Sequence, residues 1–304
     1  MNLYGEQSRN VWKTWALMSV FFVIIIILGF AFSRIYDNAS ILFVAVFLSI
    51  AMNIASYWYS DKIVLRMSGA VPVTRDEYRE LWNITENLSI SAGLPMPRLY
   101  VINDPAPNAF ATGRNKEHAA VAVTTGLLGV LERTELEGVI AHELAHIGNR
   151  DILLQTVVVI LVGFVTLLSD MFLRMGFLGG NRDNDRGGGQ AQMIVMVVGI
   201  VLAILSPIAA LLIQLAISRK REFLADATGA LMTRYPEGLA NALHKIESYG
   251  GKMKKANHAT AHLFISNPFA DEKGKRRGFL TKLFMTHPPT EERVRALLSP
   301  GKAN

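Results

Sequence analysis

The chain has no cysteine among its 304 residues. That absence excludes disulfide staples, thiolate nucleophiles and sulfur-ligated metals, so any metal must be held by His, Asp or Glu. Charge is scarce too: 18% of residues are charged against 51% hydrophobic, with a mean hydropathy of +0.27. Such a composition is not that of a freely soluble enzyme and calls for a search for membrane spans. There is no internal repeat and no nucleotide-binding glycine pattern. No small-residue cleavage site separates the first apolar run from the next, so that run reads as a retained anchor and not a signal peptide. The net charge of +6 is accounted for by basic flanks at a lipid surface, and nucleic acid is not an expected partner.

Four apolar stretches are present. Residues 15–32 are uncharged, bounded by Lys13 and Arg34, and residues 41–59 end in the interfacial pair Trp58 and Tyr59. Arg9 and Lys13 precede the first, Lys62, Arg66 and Arg75 follow the second, and only Arg34 and Asp37 are charged in the loop between. The positive-inside rule therefore predicts that both ends of this hairpin face the cytoplasm. Residues 153–173 and 193–217 form a second apolar pair around a glycine-rich polar tip, followed by the basic flank Ser218-Arg219-Lys220-Arg221.

Between the two pairs the composition is that of a soluble domain. Thr74 and Glu77 predict a capped helix through Leu81, Ile84 and Leu88 that stops at Gly93. Residues 98–103, 109–112 and 119–124 read as short strands. Thr134 and Glu137 predict the cap of the next helix, whose apolar positions are Leu136, Val139, Ile140, Leu144 and Ile147. Further helices are expected over 236–249 and 290–298, with a basic loop at Lys273–Arg277.

The helix after Thr134 carries Ala141-His142-Glu143-Leu144-Ala145-His146. His142 and His146, four apart, project from one helical face and can share a metal ion, with Glu143 beside the first. Zinc suits two neutral imidazoles and a carboxylate, one ion per chain. His146 precedes the third apolar stretch by about seven residues and Glu222 follows the fourth by about five, so both lie roughly 8–10 Å beyond one membrane face. That makes Glu222 the third ligand. Asp226, one turn on, is expected to fix the tautomer of a ligating imidazole. Three protein ligands leave a position for water, with Glu143 as general base. His287, in Thr286-His287-Pro288-Pro289, is the candidate second donor for an oxyanion, although its spacing equally allows a surface histidine. Asn108 is expected to hold a substrate carbonyl, and 108–112 to act as an edge strand for an extended peptide. His258 and His262 also stand four apart, but their polar flanks predict a solvated stretch.

The two N-terminal spans, Pro107-Asn108-Ala109-Phe110-Ala111-Thr112-Gly113, the His142–His146 motif with Asn149 and Asp151, the run from Ser218 to Asp226 and Thr286–Pro289 together resemble the HtpX family of bacterial membrane zinc endopeptidases, distant relatives of the CAAX prenyl endopeptidases. The resemblance covers nearly the whole chain. It implies zinc on His142, His146 and Glu222, with Glu143 as base. It also implies a cytoplasm-facing site on the inner membrane, degradation of misfolded or damaged membrane proteins, and partnership with an ATP-dependent membrane protease.

The expected fold is a mainly α integral membrane protein with about four transmembrane helices and a zincin-like α+β catalytic domain with a small sheet. Its parts are a transmembrane hairpin (1–60), the part bearing the His142 helix (61–152), a second hairpin (153–217) and a helical part bearing the third ligand (218–304). One alternative is a non-proteolytic membrane scaffold or channel with structural zinc, against which Glu143 argues, because a structural site needs no base. In another, the second apolar pair is a buried hairpin, for which Asp170 and Gln214 leave room.

Overall fold

The computed structural model describes residues 3–35, 37–161, 163–164, 219–254, 260–269 and 288–299. Two helices begin the chain: α1 (Leu3–Ile35) and α2 (Ser40–Trp58), joined by a turn in which Asp37 adopts φ +46°. Among the described residues these are the two single helices long and apolar enough to cross a membrane. They pack so closely that a Cβ on Gly29 would lie 2.3 Å from that of Ala45, the small-residue contact that membrane helices use. Their outer faces leave large apolar side chains uncovered, with Phe43 72% and Phe47 73% exposed, as lipid-facing residues would be.

Beyond this hairpin the chain continues with α3 (Ser60–Ser68), turned by Gly69 at φ +68° into β1 (Ala70–Pro72), a strand too short to read from sequence. Thr74 and Glu77 bond as expected, through Thr74 N–H and Oγ1 at 2.8 Å. The helix that follows, α4 (Arg79–Ala92), nonetheless starts only after Tyr78, so this pair closes a preceding turn. Three strands follow, β2 (Arg98–Ile102), β3 (Ala109–Thr112) and β4 (Ala120–Thr124), close to the predicted segments. The sheet order is β1-β2-β4-β3, with β2 and β4 parallel and the other pairs antiparallel.

After the short α5 (Thr125–Val130) come α6 (Arg133–Gly148) and α7 (Asp151–Leu161). These two do not run on as one rod. They meet at 84°, with Arg150 at φ +58° between them. A left-handed residue interrupts the helical hydrogen-bond ladder and gives the sharp turn an identifiable cause. Beyond lie α8 (Arg219–Thr233), α9 (Pro236–Tyr249) and α10 (Thr290–Leu298).

Strand alternation buries both faces of the sheet. Leu99, Val101, Ala111 and Val121 pack with Leu81 and Ile84 of α4, Val139, Ile140 and Leu144 of α6, and Leu239 and Leu243 of α9. Phe110, Ala120 and Ala122 face Val64 and Leu65 of α3, Val159 of α7 and Phe264. A third cluster joins α1 to α7, through Met18, Phe21 and Ile25 against Leu153, Val157 and Leu161. The fold is thus mostly helical with a small mixed sheet. Most of the predicted second hairpin, the Lys273–Arg277 run, His258 and His287 lie outside the described residues.

Candidate metal centre and active site

The helix that carries the two histidines opens two residues earlier than predicted. Glu132 and Glu135 form the capping box, with Glu132 N–H donating to Glu135 Oε2 at 2.8 Å, while Glu137 pairs with Arg133. Four-residue spacing then does what the sequence predicts. The rings of His142 and His146 stand edge to face with centroids 4.7 Å apart and their Nε2 atoms 3.2 Å apart. Helix α8 brings Glu222, Asp226 and Gly229, three residues of one face, against α6. A Cβ at Gly229 would lie 3.0 Å from the His142 backbone nitrogen, so glycine there permits the close approach. Glu222, fully buried, places its oxygens 3.8 Å from His142 Nε2 and 3.5 Å from His146 Nε2.

These three donors fit a metal. Among the described residues, His142, His146 and Glu222 form the group able to hold one, all ligand atoms lying within 4.8 Å of one another. Donors at roughly 2.0–2.2 Å around a tetrahedral zinc lie about 3.3 Å apart, close to the spacing found. The far side of each ring is held by a carboxylate. Asp226 Oδ1 lies 2.9 Å from His142 Nδ1, and Asp151 Oδ2 lies 3.0 Å from His146 Nδ1. A carboxylate at Nδ1 fixes the proton there and turns Nε2 toward the shared centre.

Electrostatics separate the two imidazoles. Burial, helped by the Arg293 guanidinium, pushes His142 down to about 4 against the pull of Asp226. Burial also works against a charged His146, but Glu222 and Asp151 outweigh it and carry the group up to about 9. The two shifts run in opposite directions, so of the two rings His146 is the one that favours the extra proton. Glu143 is raised to about 7 by burial and by the Glu222 charge, opposed by His146, the Ala111 N–H and Arg293. A buried carboxylate poised near neutrality suits a general base.

Arg293 is the residue that sequence reading missed. It is 2% exposed, donates from Nε and Nη2 to Asp226 at 2.8 and 2.6 Å, and lies 3.5 Å from the His142 ring nitrogens. Although burial penalises its charge, Arg293 holds the Asp226 carboxyl far below the usual range. The signal that could have found it was its helical face, four residues before the buried Leu297. Spacing along the chain does not pair Asp151 with His146 either, because the bend after α6 is what turns the carboxylate back onto the ring.

Asn108 is not brought to the metal centre. Its amide nitrogen donates to Ser266 O at 2.9 Å and to Met253 Sδ at 3.6 Å, and its oxygen accepts from Ala109 and Ser266, so it ties β3 to Met253 and Ser266. Ile265, next to Ser266, covers part of the outer edge of β3, its N–H donating to Ala109 O at 2.9 Å. The Ala111 N–H, one pleat on, meets Glu143 instead. His262 corrects the expectation of a solvated stretch: it is buried, with Nε2 3.3 Å from Gln155 O.

Two imidazoles and a buried carboxylate, with a second carboxylate alongside on the same helix, define a metallopeptidase centre. The Peptidase family M48 profile matches residues 75–300. Proteins described as protease HtpX homologs are similar over nearly the whole chain. That of Caldanaerobacter subterraneus is 46% identical over 301 residues, covering 98% of this chain and 97% of its own. That of Tropheryma whipplei is 46% identical over 299 residues (98% and 99%), and that of Syntrophobacter fumaroxidans 49% over 261 residues (84% and 88%). A crystal structure of S. mikatae Ste24p shares the fold, with a TM-score of 0.50 at 18% identity over 97% of this chain and 67% of that one. The chain belongs to peptidase family M48, among the HtpX proteases, and is a membrane metalloendopeptidase.

Proposed function

We propose that this metalloendopeptidase uses zinc, bound by His142, His146 and Glu222, and cleaves misfolded or damaged membrane proteins from the cytoplasmic side of the bacterial inner membrane. The observation that carries the reading is the convergence of two Nε2 atoms and one carboxylate, each imidazole oriented from behind by Asp226 or Asp151. A zinc ion held there supplies Lewis acidity, toward a water and toward a carbonyl. Glu143 accepts a proton as water attacks the scissile carbonyl and returns it to the leaving amine nitrogen. Asp226 and Asp151 keep the ligand rings from turning during the reaction. The extended substrate passes the Ala111 end of β3, beyond the Ala109 backbone that Asn108 and Ile265 already engage. His287 serves as the further donor to the oxyanion.

The topology in this reading has four spans, with residues 153–173 and 193–217 as the second hairpin and the 61–152 and 218–304 parts joined in one catalytic unit. A reporter fused near Gly188 reads outside the cell if that hairpin spans and in the cytoplasm if it is buried. The chemical test is Glu143→Gln in the full-length protein. Zinc content stays at one ion per chain while cleavage of an unfolded membrane protein falls by about 10²-fold or more. Undiminished cleavage by that variant contradicts the proposal.

A further inference from the structure

The membrane helix α1 reaches the groups behind the metal centre through Asn10. Asn10 is 2% exposed at the end of the α1 face that continues through Thr14, Met18, Phe21 and Ile25. The deeper residues of that face pack on α7 with apolar contacts, whereas the Asn10 amide engages charged groups. Its Nδ2 donates to Asp151 Oδ1 at 2.8 Å and reaches Asn149 O at 3.4 Å. Its Oδ1 accepts from Arg221 Nη1 at 2.9 Å, and the same Nη1 lies 3.2 Å from Asp151 Oδ1. Both partners adjoin the ligands. Asp151 holds His146 Nδ1 through its other oxygen, and Arg221 immediately precedes Glu222. A buried amide in this position is costly unless both its ends are bonded, and here both are.

We propose that Asn10 is a positioning residue for the metal ligands, clamping Asp151 to Arg221 and thereby holding His146 and Glu222 at the separation a metal needs. The inference rests on zinc binding by those residues. The first transmembrane helix is then part of the active site's scaffold as well as an anchor. Removing the amide takes one donor from Asp151 Oδ1 and one acceptor from Arg221, so the two metal-bearing segments keep their direct Arg221–Asp151 contact at 3.2 Å but lose the bridge that braces it. Loss of an outer hydrogen-bond partner at a metal site weakens metal binding by roughly 10–100-fold.

The test measures zinc release to a chelating dye from full-length protein in lipid nanodiscs, alongside the thermal transition. Asn10→Ala releases zinc about tenfold faster or more. Asn10→Asp, nearly the same shape, keeps the oxygen facing Arg221 but sets an oxygen against Asp151. It releases zinc at least as fast as Asn10→Ala and keeps the test readable should the alanine variant fold poorly. Met18→Ala, further along the same face, lowers the transition temperature but leaves zinc release within about twofold of the unaltered protein. Zinc retention by Asn10→Asp equal to that of the unaltered protein overturns the proposal. So does equal loss from Met18→Ala, which makes the effect one of helix packing alone. Failure of the unaltered protein to hold zinc at all overturns the metal-site reading, and this inference with it.

Discussion

Arg293 grips Asp226 with two nitrogens of its guanidinium, at 2.8 and 2.6 Å, both residues being almost fully buried. Asp226 in turn orients His142. Removing one member of a buried pair strands the other's charge, so Arg293→Ala is expected to destabilise the fold by about 3–5 kcal/mol. Lysine cannot reproduce the two-pronged contact, and Arg293→Lys recovers only part of the loss. Thermal unfolding of the three proteins checks the order. Because Asp226 is held below its unfolded value of 3.8, its contribution is fully present above that pH and lost as pH falls toward the lowered folded value.

His146 and His142 divide one proton unequally, with His146 raised to about 9 and His142 lowered to about 4. Metal-stripped protein at neutral pH therefore carries a proton on His146 that zinc must displace. Zinc binding releases about one proton, and affinity rises about tenfold per pH unit up to pH 9, then levels off. Calorimetry in buffers of different ionisation enthalpy measures the release. A pH-independent affinity between 7 and 9 contradicts the assignment.

Gly229 lets α8 approach α6 at His142, where a Cβ would meet the His142 backbone nitrogen at 3.0 Å and the Ala141 carbonyl carbon at 3.2 Å. A branched side chain cannot fit there without pushing α8 away, and Glu222 moves with it. Gly229→Val is expected to cost about 1–3 kcal/mol in stability and to weaken zinc binding, whereas a glycine without neighbours, Gly129, tolerates alanine. Zinc titration and thermal unfolding of the two variants read the difference.

What the sequence made legible follows from distance along the chain. His142, Glu143 and His146 share one helical turn, and Glu222 with Asp226 another, so periodicity was enough to group each set. The bonds of Arg293 to Asp226 and of Asn10 to Asp151 cross 67 and 141 residues, separations at which no local pattern operates. Asn108 sits in a legible strand, yet the engagement of its amide depends on Ser266, 158 residues away. The α6 cap was misplaced because Glu132-x-x-Glu135 does the work usually given to Thr or Ser, while the better-looking Thr134 lies already inside the helix. The bend at Arg150 was hidden for a different reason. Nothing in Asn149-Arg150-Asp151 demands a positive φ; the turn is imposed by packing of α7 against α1 and the sheet.

The central claim is that His142, His146 and Glu222 bind one zinc ion and leave a position for solvent. X-ray absorption at the zinc edge of the purified full-length protein tests it most directly. The account predicts one zinc per chain with two imidazole nitrogens and oxygen ligands at about 2.0–2.2 Å, and loss of the metal in Glu222→Ala. A spectrum with three or more imidazoles, or an unchanged spectrum and full zinc content in Glu222→Ala, contradicts it.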